Sequence, residues 1–195
     1  EVCGATDPDP TWTLRAGVYN GFNGSINLSV VGNPGGTTAG FTINPIVAPG
    51  SSVLTLNNGA AIAAGEYSFA VTGISGALNR SSALEFGVST AAAAAPALIS
   101  PANNSTGNKV LPTLSWNSVA GALNYTVEVA TDLAFTNIVR TATVSGTTWK
   151  VSPALNQSTS YFWRVTPNNY CGVGATSPVF AFATGVIGQC PSGTT

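Results

Sequence analysis

The reading of this chain turns on residues 125–130, Tyr125-Thr126-Val127-Glu128-Val129-Ala130. Tyr125, Val127 and Val129 recur with a period of two, and Thr126 and Glu128 fall between them. That period places apolar side chains on one face of an extended strand, whereas a helix needs spacings of three and four. The segment is a strand with one face toward a core and the other toward water.

Its neighbours repeat the pattern. Leu114 and Trp116 alternate with Thr113 and Ser115, Tyr161, Trp163 and Val165 oppose Phe162 and Arg164, and Phe180 and Phe182 close the series. In the first half Ile26, Leu28 and Val30 share a face, then Phe41 and Ile43, then Leu54 and Leu56. Tyr67, Phe69 and Val71 follow, with a last strand over Leu84, Phe86 and Val88. Breaks such as Gly32-Asn33-Pro34-Gly35-Gly36 and Pro49-Gly50 separate these runs. Their spacing is that of a β-sandwich, about 8–12 residues between turns. No helix fits beyond a single turn near Asp132-Leu133-Ala134-Phe135.

A composition shift divides the chain. Ala91 to Ala95, ending at Pro96, is too short for a stable helix and is read as a linker. The expected organisation is all-β. Residues 1–90 form one β-sandwich, 91–96 a linker, 97–185 a second β-sandwich, and 186–195 a C-terminal tail.

Charged residues make up 7% of the 195 residues, against roughly 25% in an average soluble protein. Polarity comes instead from Ser, Thr, Asn and Gly. The formal net charge is -1 and the basic residues are scattered, which gives nucleic acid and anionic membranes no electrostatic handle. No apolar run is long enough for a transmembrane helix, so membrane insertion is not expected. Glu1-Val2-Cys3-Gly4 lacks the marks of a signal peptide, so the chain is expected to be a mature protein or a piece of one. Composition and cysteines together suggest a secreted or cell-surface location. In such a chain Cys3, Cys171 and Cys190 imply one pair and a leftover thiol, or a bond outside the segment.

The second half resembles a fibronectin type III domain of secreted bacterial proteins. Pro112-Thr113-Leu114-Ser115-Trp116, Ala120-Gly121-Ala122, Tyr125 to Ala130, Leu155, Thr159, Tyr161, Trp163-Arg164-Val165, Asn169, Cys171-Gly172 and Phe180 to Thr184 carry the likeness in order. The resemblance implies that Trp116, Tyr161 and Trp163 are structural core residues. It also implies that the Tyr161 hydroxyl bonds backbone near Leu155 as a tyrosine corner. There is no Arg-Gly-Asp, so an integrin-binding role is not carried over. The first half is similar to a diverged bacterial immunoglobulin-like domain, through Pro49 to Leu56 and Gly65 to Gly73. Such pairs resemble accessory regions of secreted peptidases and surface proteins. The likeness further supports a Cys171–Cys190 disulfide. That pairing requires the tail to fold back, and if it does not, Cys3 and Cys190 remain available for head-to-tail bonds between molecules.

The chemistry of an enzyme is hard to assemble from this sequence. There is no histidine for a general base or a zinc site, and no two cysteines are close in sequence. Glu66, Glu85 and Glu128 alternate with apolar positions and are expected to face solvent. Gly172-Val173-Gly174 lies between strands rather than before a helix, so it is no phosphate loop. Asp7 and Asp9 are a poor calcium site without a third oxygen-rich segment, and Asp132 is expected to cap a short turn. Asn-x-Ser/Thr triplets at Asn23, Asn27, Asn79, Asn103, Asn104, Asn124 and Asn156 are attributed to composition.

Among aromatics that could stack on a sugar (Trp12, Tyr19, Phe22, Trp149 and Tyr170), Trp12 and Trp149 are assigned to cores. Loops tolerate variation on a rigid scaffold, so the candidate binding surface is Asn169 and Tyr170, in the segment Asn168 to Gly174. The sequence thus reads as a non-catalytic extracellular spacer or interaction module of a secreted bacterial protein. Its expected partners are other domains of the same parent, or an extracellular protein or polysaccharide. A carbohydrate-binding module and a self-assembling subunit of an extracellular filament, through Cys3, are the alternatives. No metal or cofactor is expected.

Overall fold

The computed structural model describes residues 2–4 and 9–186. The chain divides into two compact units, Glu1–Ala91 and Ala92–Thr195. Both are built of strands in paired sheets, as the alternation requires.

The first unit contains β1 (Val2–Cys3), β2 (Thr11–Ala16), β3 (Ser25–Val31), β4 (Thr38–Phe41), β5 (Ile46–Val47), β6 (Gly50–Asn57), β7 (Gly65–Ser75) and β8 (Leu78–Ser89), with a 3-10 turn at Gly59–Ala61. One sheet has the order β1-β8-β7-β3-β5 and the other β2-β6-β4. Leu54, Leu56, Phe69 and Phe86 fill the space between them. Trp12 of β2 meets Phe69 and Phe86 edge-on at 5.1 and 5.3 Å, the geometry that aromatic quadrupoles prefer. The Tyr67 hydroxyl donates to the Ala63 carbonyl at 2.9 Å and fixes the approach to β7.

The second unit contains β9 (Leu98–Ser100), β10 (Ser105–Asn108), β11 (Thr113–Trp116), β12 (Asn124–Ala130), β13 (Ile138–Val144), β14 (Thr148–Lys150), β15 (Ser160–Asn169), β16 (Gly172–Val173) and β17 (Phe180–Thr184). One sheet runs β10-β17-β15-β12-β13, with β16 also on β15, and the other β14-β11-β9. Trp116, Trp163, Tyr161 and Phe182 are almost wholly buried between them, together with Leu114, Val127 and Val129. Tyr161 lies near Leu155 as the resemblance implied: the Asn156 N–H donates to its hydroxyl oxygen at 2.9 Å. Tyr125 does the same for the Val119 N–H at 2.9 Å.

Several local expectations change. The strand at Phe41 stops there, and Ile43 turns outward because its N–H is taken by the Ser52 hydroxyl instead of a ladder partner. Strand β8 starts at Leu78, ahead of the expected Leu84, pairing Leu78 to Ala83 with the end of β7. The alanine run is only partly a linker: the Ala93 carbonyl accepts from the Ala175 N–H at 2.9 Å, and Ala93 and Pro96 are buried.

Candidate functional site

Several of the charged side chains on the strands and turns are occupied with structure. Asp9 accepts the Gly59 N–H at 3.0 Å and so anchors the start of the 3-10 turn; Asp7 lies outside the described residues. Glu128, expected to face solvent freely, is instead half-covered and ion-paired with Arg164 at 2.7 Å. The pair arises because β12 and β15 set the two residues directly opposite each other. Arg164 also lies 4.0 Å above the Phe135 ring, and Arg140 donates to the Pro153 and Ala154 carbonyls. Among the described residues no three acidic or sulfur side chains gather as a metal would require.

Asp132 caps its turn as expected, accepting the N–H groups of Thr136 at 3.0 Å and Asn137 at 2.7 Å. These bonds to the charged form hold its carboxyl below the ordinary value of 3.8, the Thr136 bond contributing most. A depressed pKa stabilises the loop fully above the unfolded value of about 3.9 and loses that contribution as pH falls through the folded value. An NMR titration should therefore show the Thr136 and Asn137 amides moving together at a midpoint below pH 3.8, and Asp132→Asn should abolish that step. A midpoint at or above 3.8 would remove the cap.

Asn169 and Tyr170 form a closed turn. Strand β15 runs to Asn169 and pairs it with Gly172, and the Asn169 side chain accepts the Cys171 N–H at 2.9 Å. Tyr170 is half-buried, and neither it nor Asn169 lines the cavity of the first sandwich described below. Cys3 and Cys171 are both disulfide-bonded. Three cysteines close at most one bond within a chain, so an oxidised Cys3 does not fit the expected Cys171–Cys190 pair with Cys3 left over. Cys190 itself lies outside the described residues.

The side chains that do converge lie in the first sandwich. A cavity of about 710 Å³ opens there, within the usual size range of ligand pockets. Its floor is the continuation of the core face of the larger sheet. Cross-strand pairing places Val30 beside Val71 and Val71 beside Ser82, then Leu28 beside Gly73 and Gly73 beside Arg80, with Ser75 beside Leu78. Ile26 and Ile46 pair at the far side. The rows nearer Phe86 are covered by β2, β6 and β4, while these lower rows are open, and Leu78 to Ala83 are exposed. Small residues along β7 and β8 make the floor a trough, with Leu28 and Leu84 as apolar walls.

The mouth is shaped by Tyr19-Asn20-Gly21-Phe22. The Phe22 N–H donates to the Tyr19 carbonyl at 3.0 Å, and Asn20 and Gly21 have φ of 50° and 75°. Two left-handed residues in succession make a type I′ turn, for which Asn-Gly is the favoured dipeptide. The turn carries both rings to the cavity, with Tyr19 80% exposed. Gly24 leaves room for the Phe22 ring: a Cβ there would stand 2.8 Å from it and the ring would have to shift. Of the five aromatics considered from sequence, Trp12 and Trp149 pack against cores, while Tyr19 and Phe22 line the cavity. Arg15 and Arg80 also line it, and among the described residues no carboxylate does. A smaller, more polar hollow of about 580 Å³ in the second unit is lined by Lys109 and Lys150 among others.

No family model and no curated protein matches the chain. Among solved structures, the chicken CNTN1 FN1-FN3 domains are similar at 16% identity and a TM-score of 0.54, covering 94% of this chain and 64% of that one. A titin domain structure is similar at 17% identity and a TM-score of 0.47, over 88% of this chain and 56% of that one. A Fn3-like protein from Clostridium thermocellum is similar at 17% identity and a TM-score of 0.39, over 51% of this chain and all (100%) of that one. The chain thus spans less than two thirds of the first two. The fold is that of all-β sandwich domains, with fibronectin type III and immunoglobulin-like domains as its structural neighbours.

Proposed function

We propose that this chain is a non-catalytic spacer or interaction module of a secreted protein, working outside the cell. The observation that carries the reading is how the ionisable groups are used. Asp9 and Asp132 fasten turns, Glu128 is held by Arg164, and Arg140 clamps backbone carbonyls. General acid–base work needs titratable groups aimed together at a reacting atom, whereas these are aimed at the protein itself. The oxidised Cys3 and Cys171 are compatible with an extracellular location, where disulfides persist. A bacterial source and a place among the accessory domains of a surface protein rest on the sequence resemblance.

Carbohydrate binding is a second reading, favoured by the exposed Tyr19 ring at the cavity mouth. One ring beside the half-buried Phe22 offers a sugar limited stacking area, so it ranks below a protein partner.

Incubation of the purified chain with peptide and glycan substrate panels should give no turnover. Turnover abolished by Glu128→Gln would overturn the non-catalytic reading. On the same sample, alkylation before reduction should label neither Cys3 nor Cys171. Quantitative labelling of either, in protein recovered from its native source, would remove the support for an extracellular site.

A further inference from the structure

We infer that the groove of the first sandwich receives an extended peptide segment of a partner protein, which adds to the free edge of β2 and carries a carboxylate toward Arg80. The inference rests on the interaction-module reading and names the site and the chemistry of its ligand.

The first observation is the edge. Strand β2 ends its sheet, with β6 on one side and, among the described residues, no strand paired on the other. The Leu56 N–H donates to the Pro10 carbonyl, and the register runs Thr11 with Thr55 to Ala16 with Gly50. In an antiparallel ladder, hydrogen-bonded and non-hydrogen-bonded pairs alternate. Trp12, Leu14 and Ala16 therefore turn their N–H and C=O toward β6, and Thr11, Thr13 and Arg15 turn theirs to the open side. Among the described residues those groups have no backbone partner. Unpaired edges of this kind are templates for an added strand unless they are blunted. Residues 11–16 contain neither proline nor lysine, and their single charge is Arg15.

The second observation is that this edge borders the cavity. Thr13, Leu14, Arg15 and Ala16 all line it, although their side chains alternate between the two faces. Consecutive residues of a strand share one wall only when the wall includes the strand's backbone edge. Beyond it lies the trough of Gly73, Ser82 and Leu28, an unfilled core face. An added strand would satisfy the edge with main-chain bonds and press alternate apolar side chains onto that floor.

The third observation is charge. Arg80 stands in the row of Gly73 and Leu28 on the groove floor, and among the described residues no carboxylate lines the groove, in a chain with a formal net charge of -1. One Arg80 N–H is used on the Asn79 carbonyl, which leaves the rest of its fork available. Guanidinium groups bind carboxylates in paired hydrogen bonds, so the complementary segment is apolar in alternation and acidic.

The test is selection of a ten-residue random peptide library, displayed on phage, against the immobilised full chain. The expected peptides alternate apolar residues and contain Asp or Glu. As synthetic peptides they should lose at least tenfold in affinity for Thr13→Pro, which removes an outward N–H and no ladder bond. Ser82→Phe, which fills the trough, should weaken binding similarly, so the edge variant is not the sole reporter. The Arg80→Glu chain should reject the acidic peptide and bind its lysine counterpart, a swap that general destabilisation would not produce. An empty selection, or peptides without acids that bind Thr13→Pro equally, would overturn the groove assignment and leave the non-catalytic reading standing. Displacement of the peptides by a neutral polysaccharide would reassign the groove to sugar. Self-association that disappears in Thr13→Pro would make a second copy its occupant. Hydrolysis of the displayed peptides would overturn the interaction-module reading itself.

Discussion

Trp163→Ala should destabilise the second sandwich by about 3–5 kcal/mol, much of the 5–15 kcal/mol that a domain possesses. Trp163 is fully buried at the centre of β15 and meets Phe180 edge-on at 6.1 Å. Its neighbours Val129 and Phe180 sit opposite it in the ladders on either side. Strands paired on both flanks cannot close over a space the size of an indole, so the cavity term adds to the lost transfer energy. Calorimetry or urea unfolding followed by separate probes should show one transition moving sharply and the other little, since no residue of the first core belongs to this cluster. If both transitions shift together by a similar amount, the two cores are not independent.

Phe86→Ala should cost the first sandwich a comparable amount, about 3–5 kcal/mol, with a consequence for the groove. The Phe86 ring lies 5.3 Å from Trp12, 5.6 Å from Tyr67 and 6.0 Å from Phe69. Trp12 is the main side-chain anchor of β2, so removing Phe86 loosens the strand that forms the groove wall. Amide exchange at Trp12 and Leu14, whose N–H groups face β6, should accelerate more than exchange in β12. Peptide affinity should fall with it, although Phe86 does not line the groove. Unchanged exchange in β2 would mean that the ladder to β6 holds this strand without the aromatic cluster.

The segments that were easiest to read are those paired on both sides. Tyr125, Val127 and Val129 alternate cleanly because β12 lies between β13 and β15, with one face on the core. The same holds for Phe69 and Val71 in β7. Edge and half-covered strands were harder. Strand β13, Ile138–Val144, carries Arg140 and three partly covered apolar residues, and a strand with one open edge tolerates that mixture. The opening of β8, Leu78-Asn79-Arg80-Ser81-Ser82-Ala83, reads as a loop because no apolar face is required where no sheet covers it. Of these, Leu78, Arg80, Ser81 and Ser82 line the groove.

Composition and alternation by themselves determined an all-β chain with two cores and the turn at Asp132, while the resemblance added the burial of Trp116, Tyr161 and Trp163. Each of these depends on local period or on a side chain reaching backbone a few residues away, and such distances are written in sequence order. The sequence also held one unread signal for the site, the Asn20-Gly21 dipeptide whose type I′ turn presents Tyr19 and Phe22. Only the tertiary structure decided which strand ends a sheet, which stretch of core face stays uncovered, and which cysteines are oxidised. Leu28, Gly73 and Arg80 form one row of the groove floor although they are far apart in the chain, because β3, β7 and β8 lie side by side. Strand order follows from how two whole sheets exclude water together, so no single strand's sequence contains it.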